Sequence, residues 1–261
     1  MSNRAGGPQE GLIAAFQSQM NNVYTALPCI VVAIRDNLNT QMVDIQPTIN
    51  QKLKDGTIKE RAVILGVPVV FPVSKTSGFT FPINVGDTGL AVFSMRNIDA
   101  WKSGNGGSAS PMNFAKMDKS DAVFIPGLQP MSSAVNNPAK RLWPHDTKDA
   151  VVVHNIGGPS EVEIRMKPTG DLIINTQRDV DINCNNAVVT ANTSVIVDTS
   201  HVDITAETMT VEVPETTWIG NITLMGNIIQ TGSYTSTGTV TFNGIIFGTH
   251  DHIPGPGPSN P

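Results

Sequence analysis

From Asp149 onward the chain is a succession of very short alternating stretches, and this limits what it can become more than any other feature. Val151-Val152-Val153, Val162-Glu163-Ile164-Arg165-Met166 and Leu172-Ile173-Ile174 come first. Val180–Cys184, Val195–Asp198, Val202–Thr205 and Met209–Val213 come next, and the pattern continues through Ile219–Leu224, Ile228-Ile229 and Val240–Phe247. Side chains alternate across a strand, so each stretch places only two or three apolar groups on one face. The stretches recur every seven to nine residues through Asn, Asp, Thr and Gly turns, with no helix or continuous apolar layer to cover them. A single chain of this kind cannot bury enough surface to offset its ordering entropy. Two remedies exist: a solenoid coiling on itself, or several chains wrapped about a shared axis. Solenoid rungs usually run to about 20 residues or more. The shorter period favours an intertwined, multi-chain β-prism.

Upstream, residues 9–27 read as an amphipathic helix. Leu12, Ile13, Phe16, Met20, Val23, Tyr24 and Leu27 recur at three- and four-residue steps, Gln17, Gln19 and Asn21 lie on the polar face, and Pro28 ends the run. From Cys29 to Gly127 the signals are β. Cys29–Ile34, Met42–Ile45, Ala62–Val67, Val69–Val73, Gly89–Ser94 and Ala122–Ile125 are separated by a turn at Asp36-Asn37 and by Asp-Gly, Ser-Gly, Gly-Asp and Pro-Gly pairs. Five or six short strands in this span suggest a small Greek-key barrel, with the OB-fold leading. Ile98–Lys119 reads as a loop with a short helical piece. The expected division is a helix over 1–28, an OB-fold barrel over 29–127, an extended Pro-bearing connector over 128–150, a β-spike over 151–247 and an apex over 248–261.

Composition narrows the function. The net charge of −5 lacks the basic footprint of a general nucleic-acid binder, and no basic residue follows Arg178, whereas eight acidic ones do. The C-terminal third is therefore acidic and otherwise polar. Aromatic content of 5% and the absence of a basic, aromatic groove argue against the OB-fold in a nucleic-acid role. Cys29 and Cys184 lie far apart and read as two buried structural thiols, with no disulfide framework or CxxC knuckle. No stretch approaches the ~20 apolar residues of a membrane span, and no signal-peptide core is present, so synthesis and assembly in a cytoplasm are expected.

Catalytic motifs are weak. Asp87-Thr88-Gly89 matches the aspartic-protease triplet, but Gly86 and Leu90–Phe93 favour a turn feeding a strand. Gly104–Gly107 lacks the phosphate-cradling GxxxxGK[ST] pattern, and HExxH is absent. His145 and His154 read as structural, and His201 falls on a turn. No enzyme activity, small-molecule substrate or nucleic-acid partner is expected. His250-Asp251-His252 is the sharp local feature. Positions i and i+2 of a strand project to one side, so both imidazoles can face an axis. The competing reading is a polar tail with two solvated histidines. Ile245-Ile246-Phe247 before the pair and Pro254–Pro258 after it place the pair at the end of the repeat and favour metal.

Gly86–Arg96, Ile98-Asp99-Ala100-Trp101 and Ser120–Pro130 resemble the N-terminal OB domain of gp138-type baseplate central spikes of contractile-tailed phages. The acidic Thr/Asn-rich repeat and the Thr249–His252 ending extend the resemblance over nearly the whole chain. It implies a mainly β homotrimer, with an N-terminal OB-fold barrel and a C-terminal intertwined triple-stranded β-helix tapering to a metal-bound apex. Three chains would bring six histidine nitrogens, from His250 and His252, around one ion in an octahedral arrangement. The resemblance selects an Fe ion, one per trimer. It also implies a virion component of the tail baseplate that joins a hub protein through the barrel and pierces the host outer membrane. The tip of a tailocin or contractile secretion system would share these mechanics. A trimeric receptor-binding fibre would share the repeat but end in a broader head than Ile253–Pro261 provides.

Overall fold

The computed structural model describes residues 8–20, 23–53, 55–242 and 245–246. The chain is mainly β and divides into two units, Met1–Ala187 and Val188–Pro261.

In the first unit the α1 helix (Pro8–Met20) is followed by β1 (Ala26–Ile34), β2 (Met42–Pro47), β3 (Gln51–Lys52), β4 (Ile58–Lys59), β5 (Ile64–Pro68), β6 (Thr88–Phe93) and β7 (Ala122–Pro126). Five of these form a curled sheet in the order β5-β2-β1-β6-β7, every neighbouring pair antiparallel. Just past β5, a parallel bridge joins Val69 to Phe124 of β7, and the Val70 N–H donates to the Phe124 carbonyl at 2.8 Å. The two edges of the sheet are thus drawn together, an arrangement consistent with the expected OB-like barrel. β3 and β4 form a separate small hairpin.

Alternation determines which side chains fill the barrel. Cys29 and Val31 of β1, Val43 and Ile45 of β2, Ala91 and Phe93 of β6, and Ala122 and Phe124 of β7 all point inward and are buried. Ile64, Val67, Val69, Phe71 and Ile83 complete the core. Gly89 is buried under the Phe124 ring, where any added Cβ would also stand 2.5 Å from the Ile125 carbonyl oxygen. Only glycine lets β6 and the Phe124 ring approach this closely.

Three expectations are corrected. The helix expected over 9–27 ends at Met20, and β1 begins at Ala26, before Pro28. Ladder pairing of Ala26, Leu27 and Pro28 with Val92, Ala91 and Leu90 outweighs the helical spacing of Val23, Tyr24 and Leu27. The strand expected at Val69–Val73 is reduced to single bridges: the Val69 N–H donates to the Gln41 carbonyl just before β2, Val69 bridges Phe124 of β7, and Val73 bridges Gly78. Cys184 is exposed within its chain, whereas Cys29 is buried as expected.

The loop at Ile98–Lys119 contains the expected helical piece, the short α2 helix (Asp99–Lys102). Buried Asp121 pins it, accepting from Asn97 Nδ2 at 2.9 Å and the Ile98 N–H at 3.0 Å. The same Asn97 amide group donates to Asp99, whose carboxyl is held below its ordinary value by Asn97 and then Lys102. Residues 128–149 pass through 3-10 turns at Met131–Ser133 and Pro138–Lys140. Next in the chain is a second antiparallel sheet, built from β8 (Ala150–His154), β9 (Val162–Met166) and β10 (Leu172–Thr176) in the order β10-β9-β8.

In the second unit, β11 (Thr241–Phe242) and β12 (Ile245–Ile246) pair as a short hairpin, Thr241 with Ile246 and Phe242 with Ile245.

Candidate functional site in the C-terminal strands

The three-stranded sheet is inside out. Register places Val151, Arg165 and Ile173 in one row and Val153, Glu163 and Asn175 in the next, all on one face. This charged face is the covered one. Glu163 is fully buried, accepting from Asn175 Nδ2 at 2.8 Å and pairing with Arg165 at 3.3 Å. Arg165 also donates to the Pro144 carbonyl at 3.2 Å and lies 4.0 Å from Asp149. Residues Pro144–Asp149 therefore form a strap over the polar face. The buried His145 in this strap lines a cavity of about 520 Å³ with Asp146, Asp149, Arg165 and Lys167. The opposite face carries Ala150, Met166 and Leu172, then Val152, Ile164 and Ile174, and remains open to solvent.

Beyond β10, among the described residues, no backbone ladder passes through residues 177–240, and the aliphatic side chains of 180–229 are exposed. The segments expected as strands at Val180–Cys184, Val195–Asp198, Val202–Thr205 and Met209–Val213 therefore pair with none of the described residues. Their spacing is regular. Bends fall at Asn185, Asn192-Thr193, Ser200, Glu207 and Pro214, seven to eight residues apart, and then at Gly220, Gly226, Gly232 and Thr237-Gly238, about six apart. Gly220, Gly226 and Gly232 adopt φ of 126°, 137° and 119°, a region in which other residues are strained.

Exposure varies along this segment. Val202, Ile204, Met209, Val211, Val213, Ile222 and Leu224 keep between 51% and 65% of their surface exposed. Ile219, Met225 and Ile229 are 93–97% exposed. Charge is graded along the same path. The acidic residues of the C-terminal third break off between Glu215 and Asp251, and residues 216–250 contain no Asp, Glu, Lys or Arg. Both the six-residue glycine spacing and this uncharged run are present in the sequence, masked there by the apolar alternation.

The remaining candidates have plainer roles. His250 and His252 lie outside the described residues. Among the described residues, no group of three or more His, Cys, Asp and Glu side chains is close enough to hold a metal ion, and no helix is long and apolar enough to cross a membrane. Asp87 accepts from the Asn84 N–H at 2.7 Å and holds the turn into β6. His154 ends β8 on an exposed position, and His201 lies 3.4 Å from Asp203. The barrel also carries a small cleft that sequence pattern does not announce. Tyr24, Lys59, Arg61 and Lys119 converge on a space of about 190 Å³, with the Arg61 guanidinium 5.4 Å from the centre of the Tyr24 ring.

Residues 27–127, the β1 to β7 barrel, match the family described as phage protein Gp138 N-terminal domain. The barrel is a Gp138 domain. A phage structural domain over this span supports a gp138-type, virion-associated protein. The match ends at residue 127, so the segments beyond the Gp138 barrel are interpreted from their own geometry. A comparison with curated proteins gives no match.

Proposed function

We propose that this gp138-type protein is the central spike of a contractile tail baseplate, a homotrimer that pierces the host outer membrane when the tail contracts. One observation carries the reading: residues 177–240 bend at regular intervals, form no ladder with any described residue, and expose nearly all their aliphatic side chains. Unpaired N–H and C=O groups beside bare apolar rows need partners of the same repeat. Three chains wound about one axis supply both, pairing each strand with its neighbours and turning the less exposed aliphatic side chains into a shared core. The shortening of the bend spacing from seven or eight residues to six supports a prism that narrows toward its C-terminal end. The uncharged run over 216–250 supports passage through lipid, since an ionised side chain in hydrocarbon costs about 2.5–3.5 kcal/mol or more.

At the narrow end the apolar core has little room left, and His250 and His252 from each chain would hold an Fe ion. Bound there, the ion would supply a non-covalent cross-link between strand ends. Neutral imidazole is a suitable donor for iron. The barrel would join the tail hub, and the protein would act mechanically rather than as an enzyme. Elemental analysis of the intact protein tests the apex. About one iron per three chains is expected, and it should disappear in a His250→Ala/His252→Ala variant that keeps its assembly mass. Unchanged metal content in that variant would remove the two histidines from the proposal.

A further inference from the structure

We propose that the cleft on the barrel lined by Tyr24, Lys59, Arg61 and Lys119 binds a phosphate group in its doubly charged form, with the Arg61 guanidinium as the fixed contact and the two ammonium groups beside it. The site is built by one chain alone, so it stands or falls separately from the spike reading.

The fold assembles the cleft from three distant parts of the sequence. Tyr24 lies just before β1, and its N–H donates to the Met117 carbonyl at 3.0 Å, which brings the turn carrying Lys119 beside it. Lys59 ends β4, paired with Gln51 of β3, and Arg61 follows it. Arg61 is held in place from several sides. Its carbonyl accepts from Gln46 Nε2, its Nε donates to the Ile49 carbonyl at 3.0 Å, and its Nη1 donates to the Tyr24 hydroxyl at 3.4 Å. Its Nη2 has no partner among the described residues, and the Tyr24 hydroxyl keeps its own proton to donate. A guanidinium fixed in this way loses little side-chain freedom when it takes a ligand.

Charge and size select the ligand. Lys59, Arg61 and Lys119 bring three positive charges, and Glu60 brings the one negative charge in the lining, a surplus of two in a chain whose net charge is −5. Among the described residues none of the three cations forms an ion pair, whereas Arg35 and Lys102 each have a carboxylate within 2.7 Å. Like charges gathered without a counter-ion repel one another, and a dianion matches the surplus. A phosphate monoester carries about −1.5 to −2 at neutral pH and offers three acceptor oxygens, whereas a carboxylate carries a single charge. Arg and Lys are well suited to donate to it. The space of about 190 Å³ equals roughly six water volumes, below the roughly 300 Å³ at which pockets begin to enclose a drug-sized molecule. The cleft therefore admits the phosphate alone, either free or at the end of a larger molecule whose body stays outside.

Calorimetric titration of the full-length protein with inorganic phosphate at low ionic strength tests this, because screening is then weak. Saturable binding with a Kd below about 1 mM is expected. Lys59→Ala/Lys119→Ala should weaken it by about tenfold or more, and both side chains are exposed, so the barrel should keep its fold. If that variant does not fold, Lys119→Glu, which reverses one charge, should produce a comparable loss. Lys75→Ala/Lys148→Ala removes the same charge at exposed positions outside the cleft and should change the Kd by less than about twofold. Dimethyl phosphate, a monoanion, should bind about tenfold more weakly than inorganic phosphate. Glucose 1-phosphate identifies the source: binding within about threefold of inorganic phosphate supports a phosphate carried on a larger molecule, and failure to bind supports the free ion. No saturation by about 10 mM, equal losses in the two double variants, or dimethyl phosphate binding as well as phosphate would overturn the site.

Discussion

Replacing Gly226 by alanine isolates the backbone geometry of the C-terminal segment from its packing. Gly226 sits at a bend with φ of 137°, and no atom lies within 4 Å of where a Cβ would be. The cost is therefore conformational, about 1–3 kcal/mol for holding a non-glycine residue in such a region. Threefold repetition raises it to about 3–9 kcal/mol for an assembled trimer. Gly238 provides the matched control. It also occupies a bend and has open space around it, but its φ lies outside the positive region. In a thermal scan of the purified protein, monitored by loss of the assembled species on a native or SDS gel, Gly226→Ala should lower the midpoint by about 2–12 °C. Gly238→Ala should leave it within a degree or two. Equal midpoints for the two variants would show that the bends at Gly220, Gly226 and Gly232 are not the corners of a folded prism.

The barrel and its charges offer further tests. Gly89→Ala should destabilise the barrel by about 1–3 kcal/mol, the range for forcing extra volume into a packed core, seen as a lower denaturant midpoint; an unchanged midpoint would mean that Phe124 does not press on β6. Asp121→Ala removes the acceptor that holds Asn97 and the Ile98 N–H, and limited proteolysis should then cut within 98–119 at least several-fold faster than in the parent protein. Asp44 pairs with Arg35 at 2.6 and 3.0 Å and accepts from the Gly66 N–H at 2.8 Å. Burial alone would raise its carboxyl, but these bonds and the guanidinium charge outweigh burial and hold it below the ordinary value. A lowered folded value contributes stability that is complete above the unfolded carboxyl value of about 3.9 and is lost as pH falls through the folded one. The stability gap between the parent protein and Asp44→Asn should therefore be constant near neutrality and shrink only below about pH 4; a gap independent of pH down to 2 would refute the assignment.

The barrel is legible in the sequence because its strands are bounded by strong turn signals and its core residues alternate cleanly, as in Leu90–Phe93. The helix end is not. Val23, Tyr24 and Leu27 satisfy helical spacing, and only a partner strand some sixty residues away, with Ala26 opposite Val92 and Leu27 opposite Ala91, takes the chain into β structure from Ala26 onward. Period-two alternation in Val162–Met166 announces a strand with two unlike faces, but it cannot say which face will be covered. That depends on the strap at Pro144–Asp149, whose contact with Arg165 is tertiary. The cleft at Tyr24, Arg61 and Lys119 escapes sequence pattern for the same reason. In the C-terminal segment the alternation is plain, while the bend spacing reads as seven to nine residues because apolar residues at both alternating positions blur the glycine steps at 220, 226 and 232. The unpaired state of these strands in one chain is what the alternation anticipates for a repeat that cannot complete itself.

The mass of the intact protein in solution tests the central claim most directly. Sedimentation equilibrium or native mass spectrometry should give about 83 kDa, three times the 27.8 kDa chain, at concentrations down to the nanomolar range. A stable 27.8 kDa monomer would contradict the account, because residues 177–240 would then have to keep their apolar rows and backbone groups unpaired.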